Sequence, residues 1–236
     1  MSIIYFGGAK GGTGKSICAS LLIYYYQLNN ISPVVIDTDF DVPDVYKAHK
    51  DLCETYVYEI HDIDGWEDFI KTLTSAIEKD PQRPIIINSA GNNQYAFREY
   101  GGVFDGIVDE YHVDFINFWV ASTDIHSLVL LQDFINLIKH QRVCLIKNGF
   151  YGKEQRFSLL DGTTKLEKGG LTTVYLPKAA GTYLSKFNVE HTPMIKLKET
   201  LPTFERMFAD AWLTKACKTI EQALSIAQPI TLEEGE

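Results

Sequence analysis

The stretch Gly7–Ser16, GGAKGGTGKS, brings together residue types that handle phosphate. Glycines leave backbone N–H groups uncovered and tolerate positive φ. Such amides, helped by the positive end of a following helix, cradle anions. In the general pattern G-x-x-x-x-G-K-[ST], the amides wrap the phosphates, the lysine reaches the β and γ groups, and the hydroxyl ligates Mg²⁺. Gly14, Lys15 and Ser16 supply the second half of that pattern, while Ala9 stands at the first glycine position. The expected nucleotide contacts are therefore Gly11, Gly12, Thr13, Gly14, Lys15, Ser16 and Ile17, with Ser16 also a metal ligand. Lys10 places a second cation in the same loop.

Two further stretches carry candidate chemistry. In VVIDTDFDVPDV, Asp37 and Asp39 close an apolar run, and open α/β sheets hold their ligands beyond the C-terminal ends of strands. Asp41 and Asp44 read as solvated acids of the turn around Pro43. In IIINSAGNN, an apolar run ends in Asn88 and continues to Gly91. The six histidines show no ligand spacing. The four cysteines form no C-x-x-C pair and read as buried thiols of a reducing compartment.

These residues need a scaffold, and the chain alternates strand-like and helix-like segments. Apolar runs at 2–6, 34–36 and 84–87, and in VDFINFWVAST, RVCLIKNG and TTVYLPKAAG, read as strands. ICASLLIYYYQL is helical, which puts the glycines at a strand-to-helix turn. Trp66, Phe69, Ile70, Leu73 and Ile77 share one helical face, with Asp64 as the expected N-cap. A helix apolar nearly all round spans 125–138, and TFERMFADAWLTKACKTIEQAL closes the chain. Continuous apolar strands separated by helices predict a doubly wound, mostly parallel sheet covered on both faces, an α/β sandwich. We expect one domain over 1–236, with a polar, glycine-punctuated insertion around 151–170 and a frayed acidic tail over 228–236.

In that context KGGTGKS resembles the deviant Walker A loop of the ParA/MinD family of ATPases. The resemblance implies a P-loop fold, ATP with Mg²⁺ as the ligands, and an ATP-sandwiched homodimer in which Lys10 reaches the partner's nucleotide. The two aspartates resemble the family's D-x-D element, which gives Asp39 the attacking water and sets Asp37 near the metal and its water shell. Asn88-Ser89-Ala90-Gly91 resembles the family's D-T-A-G element with asparagine for the acid; it implies a metal-water contact at Asn88 and a γ-phosphate sensor at Gly91. For the base, the resemblance points to Asn148 and Pro177, and the missing N-K-x-D signature favours ATP over GTP. Within the family the short chain resembles plasmid partition, stability and conjugation-associated members.

Composition narrows the partners. The formal charge of -9 disfavours a broad nucleic-acid footprint. Lys139, Arg142, Lys147, Lys153, Arg156, Lys165 and Lys168 are denser than the average and offer either a local DNA patch or a solvated edge. Plasmid DNA or a DNA-binding protein are the expected partners. Without a bilayer-length apolar run, integral membrane association is not expected and the location expected is cytosolic. Two other readings stay open: a nucleotide-gated binding module that hardly hydrolyses ATP, and a monomeric P-loop transferase or synthetase.

Overall fold

A computed structural model describes residues 2–91, 93–160, 166 and 170–229. Seven strands lie parallel in the order β3-β2-β4-β1-β5-β6-β7. They are β1 Ser2–Gly7, β2 Val34–Asp37, β3 Glu54–Val57, β4 Ile85–Asn88, β5 Asp114–Ala121, β6 Arg142–Asn148 and β7 Thr172–Leu176. The helices are α1 Lys15–Leu28, α2 Asp44–His49, α3 Ile63–Lys79, α4 Gln94–Glu110, α5 His126–Leu137, α6 Gly181–Asn188, α7 Leu197–Thr200 and α8 Thr203–Ile226. This is the mostly parallel, helix-covered α/β sheet that the apolar runs predict.

Strand periodicity divides the core. Ile4 and Phe6 face one layer with α1 and α8, where Leu21, Leu22, Leu213 and Ile220 are fully or almost fully buried. Ile3 and Tyr5 face the other with α3, α4 and α5, an aromatic layer of Trp66, Phe69, Phe97, Phe104, Phe115 and Phe134. There Tyr5 stacks on Phe134 at 5.0 Å between ring centroids, and Trp66 meets Phe97 edge-on at 5.1 Å. Central β1 pairs with β4 and β5, Phe6 opposite Asn88 and Gly7 opposite Trp119. A side chain at Gly7 would put its Cβ 2.7 Å from the Trp119 ring, so the strand approaches its neighbour too closely for anything larger. The loops after β1, β2, β4 and β6 all leave from the C-terminal ends of the parallel strands, where ligands sit in such folds.

Several local expectations change. Asp62, not Asp64, caps α3, its carboxylate accepting from the Gly65 N–H at 2.9 Å; Asp64 lies inside the first turn. Strand β3 is half-buried at the sheet edge and carries too little apolar signal to be read ahead. In the insertion, Glu154–Leu160 forms a 3₁₀ helix, and Phe157, Leu160 and Leu166 are buried in the aromatic layer. Gln228 and Pro229, expected to fray, pair antiparallel with β6. The rest of the tail lies outside the described residues.

Of the basic candidates, Lys165 and Lys168 also lie outside the described residues. Lys147 is buried, and Arg142 is tied to Asp114 at 2.6 Å and to the Ala227 carbonyl at 2.9 Å. Lys139, Lys153 and Arg156 remain as exposed cations among those described, so burial and pairing thin the patch.

Candidate functional site

The glycine-rich loop turns from β1 into α1. Gly12 and Gly14 take φ of 76° and 101°, backbone only glycine adopts without strain. Gly14 sits at the N-cap of α1 with no side-chain capping bond, so the first amides of the helix are left for another acceptor. The loop is pinned from behind. Lys10's carbonyl accepts from Lys15 Nζ at 3.1 Å and from the Thr13 hydroxyl at 3.3 Å. Asn148 Nδ2 donates to the Thr13 carbonyl at 2.7 Å, and Tyr151 Oη donates to the Gly12 carbonyl at 2.6 Å.

Lys15 is buried. Desolvation pulls its ammonium below the ordinary lysine range, while the Asp39 carboxylate opposes the shift. Asp39 is half-buried, its own carboxyl raised by desolvation and lowered by the Val42 N–H and by Lys15. The cation and the acid that the sequence assigns to phosphate and water therefore feel each other across the loop.

Beneath them lies a buried polar layer. One oxygen of Asp37 accepts from Asn88 Nδ2 at 2.8 Å and from the Asp39 N–H at 3.2 Å; the other accepts from the Val45 and Tyr46 N–H groups, each at 3.1 Å. Burial pushes this carboxyl up to about 6, opposed by those donors. The Asn88 amide turns its nitrogen toward Asp37. Asn88 Oδ1 is then buried without a hydrogen-bond partner among the described residues.

These facts test the metal expectation. Ser16 lines the cleft, and the orphaned Asn88 Oδ1 is an acceptor of the kind that takes a hydrogen from metal-bound water, so both fit an Mg²⁺ with its hydration shell. Asp37, the acid expected near the metal's water shell, accepts from four donors: the Val45 and Tyr46 N–H groups in the first turn of α2, the Asp39 N–H, and the Asn88 amide.

A cleft of about 590 Å³ opens over the loop, in the range of small-molecule sites. Gly11, Gly12, Gly14, Lys15, Ser16, Ile17, Asp39, Asn148 and Pro177 all line it. Lys10 does not: it is exposed on the outer flank, 3.9 Å from Asp124. Thr13 is fully buried behind the loop, and Gly91 backs it, where a Cβ would fall 2.5 Å from the Gly11 nitrogen. Asn148 lines the cleft, but its amide already serves the Thr13 carbonyl and the Phe150 N–H. The residues the sequence missed form the apolar end of the cleft: Phe150, Leu176, Ala179, Leu184 and Trp212, with Asn188 beside them. Trp212 Nε1 donates to the Pro177 carbonyl at 2.8 Å, which ties α8 to the strand end.

The cleft thus joins a loop of free amides and a buried lysine to a wall of apolar side chains. The chain matches no family model. It is 29% identical to Protein MobD of Acidithiobacillus ferrooxidans over 224 residues, 93% of this chain and 96% of that one. Solved structures with the same fold include the MinD cell division protein of Aquifex aeolicus, at 13% identity and TM-score 0.53 over 98% of this chain and 100% of that one. The MinC:MinD complex of the same organism gives 13% and 0.55 over 98% of both chains. A nucleotide-binding protein of Archaeoglobus fulgidus in complex with ADP gives 12% and 0.51, over 86% of this chain and 93% of that one. The family resemblance read from the loop therefore extends to the fold of the whole sheet, which this chain shares with MinD.

Proposed function

We propose that this chain is a ParA/MinD-like ATPase that binds Mg-ATP and switches between monomer and nucleotide-sandwiched dimer, with slow hydrolysis resetting the switch. The observation that carries the reading is the loop itself: two positive-φ glycines and a buried lysine under a cleft whose far end is apolar. Backbone amides from Gly11 to Ile17 hold the phosphates, and Lys15 neutralises them. Ser16 and Asn88 hold the metal with its waters; when bound, the ion withdraws charge from the phosphate oxygens. Asp39, half-buried beside Lys15, orients the attacking water, and Gly91 behind the loop reports the γ-phosphate. Pro177 and Trp212 take the base. Lys10, exposed and only loosely paired, is free to swing toward a second copy of the chain. The cargo is plasmid DNA or a transfer apparatus, a reading supported by the family resemblance and the likeness to MobD.

A second reading, a nucleotide-gated binding module with little hydrolysis, is favoured by one observation. Asn88 brings no charge, and Asp37 is already saturated. Phosphate release by purified protein and by Asp39→Ala, alongside solution mass with and without a non-hydrolysable ATP analogue, decides between them. The switch predicts a faster wild type and a doubled mass with the analogue. Equal rates with an analogue-driven dimer favour the module, and a mass that never changes removes the dimer.

A further inference from the structure

The turn that follows β6 is built to reach the loop. Asn148 Oδ1 accepts from the Phe150 N–H at 3.0 Å and so caps the 3₁₀ turn Gly149–Tyr151. Gly149 fits where a Cβ would stand 2.6 Å from both the Leu176 carbonyl and the Tyr175 hydroxyl. At the far end Tyr175 Oη donates to the Gly152 carbonyl at 3.0 Å. The turn is thereby fixed at both ends, and its two outward polar groups, Asn148 Nδ2 and Tyr151 Oη, grip consecutive loop carbonyls, Thr13 and Gly12.

That pairing has a geometric consequence. In a trans peptide the C=O of one residue and the N–H of the next point in opposite directions. Holding the Gly12 and Thr13 carbonyls toward the turn aims the Thr13 and Gly14 N–H groups the opposite way, the side on which Gly14 lines the cleft; consecutive donors aligned in this way are the makings of an anion nest. Glycine at 12 and 14 permits this geometry but does not select it, because glycine visits many others.

We infer that Tyr151 is a positioning residue for phosphate: its hydroxyl, acting with Asn148, holds the loop amides in their anion-binding orientation before ligand arrives. The inference rests on the nucleotide reading above and assigns to a residue outside the loop pattern a share of the affinity for the di- and triphosphate. Preorganisation of this kind lowers the ordering required on binding. The Tyr151 hydroxyl meets the loop at Gly12 and Tyr151 itself does not line the cleft, so its loss is felt first at the phosphate end.

Tyr151→Phe removes the hydroxyl and keeps the ring. We expect about three- to tenfold weaker ADP binding by calorimetry, the range of one lost hydrogen bond, with adenosine affinity, measured by competition, unchanged within about twofold. In the nucleotide-free chain, the Thr13 and Gly14 amides should exchange faster with solvent in the variant than in wild type, read by NMR. Unchanged ADP affinity, an equal loss for adenosine, or unchanged exchange at Thr13 overturns the inference. If the wild type binds neither ADP nor adenosine, the nucleotide reading fails instead, and the exchange measurement still decides whether Tyr151 holds the loop.

Discussion

The ammonium of Lys15 lies 3.1 Å from the carbonyl oxygen of Lys10, so the lysine curls back over its own loop. A buried cation satisfied by a carbonyl dipole and a half-buried acid is a site arranged for a ligand at the expense of stability. Lys15→Met keeps the stem and removes the charge. We expect its urea midpoint to rise, by about 1 kcal/mol in stability, while ADP affinity falls at least about tenfold. Circular dichroism unfolding and calorimetry check the two arms.

Gly91 and Gly11 are both glycines of the site, but their surroundings differ. A Cβ at Gly91 would sit 2.5 Å from the Gly11 nitrogen, whereas one at Gly11 meets nothing within 4 Å. Gly91→Ala must push the loop and should destabilise the chain by about 1–3 kcal/mol, the overpacking range. Gly11→Ala should change unfolding free energy by no more than about 1 kcal/mol. Thermal unfolding of both variants makes the comparison.

Asn88→Asp looks like a restoration of the acid common in P-loop proteins, and the structure predicts otherwise. The new carboxyl would face Asp37 where the amide nitrogen now stands 2.8 Å away, and both side chains are buried. Two buried like charges in contact cannot both stay ionised. We expect a loss of about 3–5 kcal/mol at pH 8, the scale of an uncompensated buried charge, easing as the pH falls and one carboxyl takes a proton. Denaturant titrations at pH 8 and pH 6 measure it.

Acid sensitivity should centre on His49. Its imidazole is fully buried, with Nε2 3.1 Å from the Ser20 hydroxyl, and burial pushes it down from 6.5 to about 4. A depressed pKa means the unfolded chain binds the proton more readily, so stability present above pH 6.5 is lost as the pH falls toward 4. Asp37, raised from 3.8 to about 6, has the opposite slope: it favours folding below pH 3.8 and loses that contribution as the pH rises through 6. The two offset each other in wild type. In His49→Gln the Asp37 slope loses that offset. The stability difference between wild type and variant should shift against wild type by about 2 kcal/mol from pH 7 to pH 5. A difference independent of pH would mean that His49 titrates normally.

The parts of this site that follow from sequence are those made by neighbours in the chain. The loop is legible because glycine, lysine and serine act through backbone within ten residues of one another. Asp37's fate was not, because its partners, Val45, Tyr46 and Asn88, are assembled by a turn and by pairing of β2 with β4. Trp212 reaches Pro177 only because α8 packs over β7, and a tryptophan in a long amphipathic helix reads as core. Its place just before the apolar face makes Asp64 the expected cap of α3; the cap is decided by which carboxylate meets a free N–H, and that is Asp62. The family resemblance points Asn148 toward the base, and its contact with the Thr13 carbonyl, 135 positions away in the chain, leaves no trace in the local sequence.

The central claim is that the amides from Gly11 to Ile17 bind phosphate while Trp212 closes the base end. Titrating Mg-ADP into isotopically labelled protein and following backbone amide and indole resonances by NMR tests it most directly. The account predicts saturable shifts that are largest at residues 11–17 and at the Trp212 indole. No saturable binding would contradict it. So would shifts centred elsewhere, such as the hollow of about 230 Å³ lined by Glu54, Tyr56, Lys71 and Lys79.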